Sequence, residues 1–317
     1  MKKLVSLVLA LMLCLSCVSA LAAEAWTVTC PWAPSGVAAM VNQKAASLST
    51  TYSQDYVLVA NAEKGDTATI NSWLTKYTEA DPQMCFIGEG MFGITAILDP
   101  ERMNFTYDDF EYVENLYSSI FVASARKELG ITSIDALKAY LEEGNQIMVG
   151  TNGATGSEAF LAAALIGAMG YGDQFYLIPY ESAAEAAQAV ARGEVDIAVS
   201  HQSQILETWQ QGGVDVFAAF DGEPIAQGPF KGVEGVGQYG YPYFRNRCFI
   251  FAKAGADEQK IADLKALYAQ ILTDEEMVDW LNNTMLLEAD MMTEEEVIAH
   301  IDNVKNIVDE YYDLVAE

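Results

Sequence analysis

The stretch Gln146-Ile147-Met148-Val149-Gly150-Thr151-Asn152-Gly153-Ala154-Thr155-Gly156-Ser157-Glu158-Ala159-Phe160-Leu161 decides the fold. Its first four residues read as a short strand, and Ser157 to Met169 is an Ala/Leu-rich run that reads as a helix. Gly150 to Ser157 joins them as a turn of small polar residues. A turn of this kind gathers unpaired backbone N–H groups, hydroxyls and the positive end of the helix dipole in one place. Together these can hold a carboxylate or phosphate without Lys or Arg. The same residues also suit an ordinary strand-to-helix turn whose glycines supply tight geometry, and the motif alone leaves both readings open.

Strand and helix patterns alternate on both sides of this stretch. Trp26 to Cys30 reads as a first strand, Pro31-Trp32-Ala33-Pro34-Ser35-Gly36 as a turn, and Val37, Met40, Val41, Ala45 and Leu48 follow at helical spacing. Tyr56 to Val59 is a second strand and Thr67 to Thr78 a helix. Met84 to Ile87 is a third strand, closed by Gly88-Glu89-Gly90. After apolar runs at 110–113 and 120–123, a second series begins: a helix over 132–143, the strand before Gly150, the helix from Ser157, a strand over 175–180, a helix from Ser182 to about Arg192, and a strand over 195–200. Residues 221–246, rich in Gly, Pro and aromatics, read as an irregular connection, 248–252 as a strand, and the remainder as helical. Ser182 with Glu185, Thr273 with Glu276 and Thr293 with Glu296 have capping-box spacing. The alternation predicts an α/β protein of two domains with mainly parallel sheets.

Lys2 and Lys3, an apolar run from Leu4 to Leu15 and the small residues ending Ala20-Leu21-Ala22 predict an export signal cleaved after Ala22. The run is too short to span a membrane. A competing reading makes Cys17, preceded by Ser16, a lipid-attachment site, although Cys14 and Leu15 fit that pattern poorly. The whole chain carries 17 basic and 45 acidic residues, and loss of residues 1–22 takes the net charge from −28 to −30. A field of that sign opposes nucleic acids and anionic membranes. It does not oppose a local anion site built from amides. Cys30, Cys85 and Cys248 remain after cleavage. An odd number at wide spacing is no disulfide framework and offers no metal motif; buried thiols or one bridge both fit.

Catalysis finds little support. No nucleophile elbow, phosphate-binding loop or metal-ligand pattern is present, and there are two histidines. His300 falls beside the apolar face of the last helix. Ser200 and His201 end a strand, where α/β proteins place ligand contacts. Binding is better supported, because the turns at Ser35-Gly36, Gly88-Glu89-Gly90, Thr151 to Ser157 and Tyr180-Glu181-Ser182 would meet in a crevice at the carboxyl ends of the strands if the two series face each other.

The order of these segments resembles the extracytoplasmic solute receptors of tripartite tricarboxylate transporters, the Bug family. The resemblance rests on Pro31 to Ala39 against P-F-x-P/A-G-G-x-x-D, on Asn61 after the second strand, and on Ala80-Asp81-Pro82-Gln83-Met84-Cys85-Phe86 and Tyr107-Asp108-Asp109-Phe110. Its most specific matches are Gly150 to Ser157 and Ile178-Pro179-Tyr180-Glu181-Ser182, followed by Gly193-Glu194-Val195-Asp196. Ala39 stands where the family has aspartate, and Ala62-Glu63-Lys64-Gly65-Asp66 departs from the family's P-G-A-G-G. The resemblance implies a periplasmic-binding-protein-like Venus flytrap of type II. Residues 25–124 plus 246–317 would form domain 1, and 125–245 domain 2. It implies a monomer that captures a small carboxylate, needs no cofactor or metal, and delivers its ligand to an integral membrane permease. The ligand-binding residues would be Ser35, Gly36, Gly88, Glu89, Thr151, Asn152, Thr155, Gly156, Ser157, Tyr180, Ser200 and His201, with Ser157 and the amides near Gly156 on a ligand carboxylate. Glu89 or Glu181, if turned inward, would favour a ligand carrying an amine. The alternatives are a secreted α/β enzyme acting through a cleft carboxylate, or the same fold serving a sensor.

Overall fold

β1 (Glu24–Cys30) pairs in parallel with β2 (Tyr56–Ala62) on one side and β3 (Gln83–Gly88) on the other. A computed structural model describes residues 23–315; the expected export signal and Cys17 lie outside the described residues. β4 (Phe110–Ser119) and β10 (Asn246–Lys253) extend this sheet with antiparallel pairing, and a two-residue β11 (Glu288–Ala289) closes its edge, giving the order β11-β4-β10-β3-β1-β2. The run Met84-Cys85-Phe86-Ile87 is apolar without alternation because helices cover both faces of the strand. On one face lie α1 (Val37–Tyr52), through Val41, Ala45 and Leu48, and α7 (Glu258–Leu272), through Ile261, Leu264 and Tyr268. The other face packs Ile70 and Trp73 of α2 (Thr67–Lys76) against Cys85, Ile87, Phe249 and Phe251.

The second sheet has the order β7-β6-β8-β5-β9, from β5 (Phe121–Arg126), β6 (Ile147–Asn152), β7 (Phe175–Tyr180), β8 (Ile197–His201) and β9 (Val214–Ala219). One face is covered by α3 (Ile134–Glu142) and α4 (Ser157–Ala168), the other by α5 (Ala183–Arg192) and α6 (Gln202–Gln210). Asp196 braces the sheet from within: its carboxylate accepts from Arg126 Nε (2.9 Å) and from the Met148 amide (2.8 Å).

Several details differ from the sequence reading. The sheets are mixed, not mainly parallel, because β10 runs antiparallel to both its neighbours, β3 and β4, and β5 to both of its own, β8 and β9. β9 and β11 had no strand signal strong enough to read. The chain changes sheet at Ile120, so residues 121–124 sit in the second sheet and not with the first domain as expected. Asp274, not Thr273, caps α8 (Glu275–Asp279), while the Thr273 hydroxyl bonds back to Ala269 O. Thr293 and Glu296 do form a full capping box at the head of α9 (Glu294–Glu310). That helix joins the two halves. Val297 and Ile301 lie in the core beneath the first sheet, and Val304 and Val308 in the core of the second. Cys30, Cys85 and Cys248 are buried free thiols. Among the described residues no helix is long and apolar enough to cross a membrane.

Candidate ligand cavity between the sheets

The carboxyl ends of β1, β2, β3, β6, β7 and β8 converge on one cavity of about 530 Å³. That volume suits a small organic solute. The turn after β1 supplies Trp32 and Gly36; that after β2, Lys64 and Asp66; that after β3, Glu89 and Gly90. From the second sheet come the loop Asn152 to Ser157 after β6, Tyr180 and Glu181 after β7, and His201 at the end of β8.

Glu89 is at the centre of this arrangement and fully buried. Its Oε1 accepts from Ser157 Oγ (3.0 Å) and Asn246 Nδ2 (2.9 Å), and its Oε2 from the Arg247 amide (2.8 Å). Burial raises its carboxyl above the ordinary value, while Asn246, the Arg247 amide and Ser157 pull it back in part. Ser157 belongs to α4 and Glu89 follows β3, so this bond ties the two halves together. Gly90 makes the approach possible: a Cβ there would stand 2.7 Å from Ser157 Oγ. A second tie links Ser119 Oγ and His201 Nδ1 at 2.8 Å. Burial drops the His201 imidazole to about 3, so the ring is neutral at physiological pH. At the mouth, Lys64 Nζ meets Glu181 at 2.7 Å, and Arg102 donates to Thr155 Oγ1 (3.1 Å) and Asp66 Oδ2 (3.2 Å).

The loop after β6 has the geometry its sequence implies. Gly153 takes a φ of +73°, the left-handed region glycine enters without cost. Thr151 Oγ1 donates to Gly153 O (2.8 Å) and braces the turn from its buried side. Among the described residues nothing accepts from the amides of Ala154, Thr155 and Gly156, which leaves them available for an anion. α4 follows, with eleven of its twelve residues buried and no side chain capping its first turn. Its one charged residue, Glu158, is only 6% exposed and lines the cavity. Burial raises the Glu158 carboxyl to about 7; its own amide and Asn152 oppose the rise, and Glu89 adds to it.

Nine of the expected site residues line the cavity: Gly36, Gly88, Glu89, Asn152, Thr155, Gly156, Ser157, Tyr180 and His201. Ser35 is exposed on the turn, Thr151 faces inward as the brace just described, and Ser200 is fully buried in β8. The Ser157 hydroxyl has a role the sequence did not suggest. Its proton goes to Glu89, so in this arrangement it is not free to bind a ligand carboxylate. Glu89 points inward and Glu181 outward, 79% exposed and paired with Lys64. Trp32, Asp66, Arg102, Glu158 and Asn246 also line the cavity, and none had been singled out. Only Glu158 carried a usable signal. A helix apolar on every side is a buried helix, and its lone acid is buried with it.

A cleft lined from two α/β halves, at the carboxyl ends of both sets of strands, defines a solute-binding protein of the periplasmic-binding-protein type. The sequence matches the model of the tripartite tricarboxylate transporter family receptor over residues 54–306, and the chain belongs to that family. Its fold is similar to that of a periplasmic transporter (TM-score 0.81, 15% identity, covering 92% of this chain and 98% of that one). It is also similar to a Rhodopseudomonas palustris protein solved with adipate (TM-score 0.80, 15% identity, 92% and 96%) and to MatC from the same organism with bound malate (TM-score 0.76, 17% identity, 92% and 98%). No curated protein matches the sequence.

Proposed function

We propose that this chain is an exported receptor that captures a small carboxylate outside the cytoplasm and presents it to the membrane permease of a tripartite transporter. The observation that carries this reading is the cavity itself. It opens between two sheets and has the free amides of Ala154, Thr155 and Gly156 on its wall. Such amides at a helix N-terminus hold a carboxylate by hydrogen bonding and dipole alone. Family membership and the adipate- and malate-bound structures support the ligand class. The export signal expected from the sequence of residues 1–22 and membership of a family of periplasmic receptors support the compartment. The receptor acts as a monomer and without chemistry. Of the groups lining the cavity, His201 is held neutral by burial and burial raises the Cys248 thiol, so neither is an activated base or nucleophile.

A thermal-unfolding screen of mono-, di- and tricarboxylates and amino acids tests this. A ligand at a hundred times its Kd stabilises the folded state by about 2.7 kcal/mol, a shift of several degrees. A screen in which none of these solutes binds near micromolar affinity refutes the proposal.

A further inference from the structure

The charges around the cavity do not balance. Its two cations are already paired, Lys64 with Glu181 and Arg102 with Asp66. Glu89 and Glu158 then remain, and neither has an ion-pair partner among the described residues. Glu89 is at least fully solvated by protein, with three donors on its two oxygens. Glu158 is not. It is more than nine-tenths buried, it faces the cavity, and only its own amide and the Asn152 side chain offset the loss of water. Its Oε2 lies 3.4 Å from where a Cβ on Gly156 would stand, beside the loop whose amides are free. Asn246 adds to the excess of acceptors. Its Nδ2 is committed to Glu89, and its Oδ1 has no donor.

Such an interior lacks a positive charge. A simple dicarboxylate would bring two more negative charges against Glu158 and Glu89, with no unpaired cation to meet them. Resting on the receptor reading above, we propose that the ligand is a carboxylate that also bears a protonated amine, with Glu158 receiving the ammonium and the Ala154–Gly156 amides the carboxylate. The two seats are adjacent, so they suit a solute whose charged groups are close together, as in an amino acid. Recognition is then divided: the loop reads the acid common to the family's ligands, and Glu158 rejects acids that lack the amine.

The test uses matched pairs differing only in the ammonium: glutamate with glutarate, aspartate with succinate, 2-aminopentanoate with pentanoate, and 1,5-diaminopentane as an amine without an acid. Affinities are measured by calorimetry on wild type and Glu158→Gln. At least one amino acid should bind wild type about tenfold or more tightly than its partner, and Glu158→Gln should remove that margin. Binding of the amino acid should also weaken about tenfold from pH 8 to pH 6 as Glu158 takes up a proton, and the variant should lose this dependence. Glu89, Asp66 and Cys248 interact electrostatically with Glu158, and the other titratable or charged groups lining the cavity are Tyr117, Arg102, Lys64, Glu181, Tyr180 and the neutral His201. None of them is replaced in the variant, so loss of the pH dependence is assigned to Glu158. Deaminated acids binding as tightly as their partners, with Glu158→Gln without effect, would overturn the inference and leave the carboxylate receptor standing. Binding of the diamine alone would keep the ammonium seat and refute the carboxylate reading. Failure of every ammonium-bearing probe to bind overturns the inference whatever the acids do.

Discussion

Replacing Glu158 by Gln should make the ligand-free protein more stable, chiefly at high pH. The carboxyl is raised from an ordinary 4.5 to about 7, chiefly by burial. Two and a half units at 1.36 kcal/mol each amount to about 3 kcal/mol. The sign follows from which state holds the proton more tightly. Here it is the folded one, so the contribution is fully present below about pH 4.5 and is lost as pH rises through about 7. At pH 8 wild type therefore carries a buried anion at a cost of about 3 kcal/mol, after the favourable contacts with its own amide and Asn152 are counted. Gln keeps the shape and removes the charge. Glu158→Gln should gain up to about 3 kcal/mol at pH 8 and less than about 1 kcal/mol at pH 5. For a chain of this length the gain at pH 8 is a rise in Tm of roughly 6 °C. Thermal unfolding of both proteins without ligand, at the two pH values, measures it. An equal change at both pH values, or a fall in Tm at pH 8, would show that the amide contacts outweigh the burial and that the charge argument is wrong.

Two further predictions concern the ties between the halves. Gly90→Ala places a Cβ 2.7 Å from Ser157 Oγ and must displace the Ser157–Glu89 bond. It should lower Tm by the equivalent of about 1–3 kcal/mol and weaken ligand binding, and unchanged values of both would mean that this contact carries no weight. His201, with its imidazole lowered to about 3, should show no shift of its ring resonances between pH 8 and pH 5 in NMR titration. Because its folded value is depressed, its burial contributes stability at high pH that is lost as pH falls below about 6.5. A midpoint between 6 and 7 would show a hydrated ring, not one packed 4.6 Å from Phe121.

The elements that could be read in advance were those whose local chemistry is self-contained. The loop between β6 and α4 is marked by its own glycines and hydroxyls, the Ser182 and Thr293 caps by short-range spacing, and the central strands by apolar runs between turn residues. What escaped depends on distant partners. β11 is two residues long and is a strand only because Tyr117 and Ser118 of β4 lie beside it. Arg102 and Asp66 are 36 positions apart and become one ion pair at the cavity mouth. Asn246 opens β10 and gave no sign of reaching Glu89, 157 positions earlier. Ser157 shows the limit most clearly. Its place at a helix head was evident, but the destination of its proton depended on a residue from the other sheet.

The path of α9 bears on how the molecule holds together. Its first half lies in one core and its second half in the other, and Ile94 from the β3 side joins Val304 and Val308 among the apolar residues of the second half. Neither sheet owns a complete interior. Excising one would leave a vacancy in the other about the size of several aliphatic side chains, and vacancies of that kind are costly. The chain is therefore a single cooperative unit of folding and not two beads on a string. Its C-terminal segment, far from the cavity in sequence, belongs to the framework that keeps the cavity walls in register.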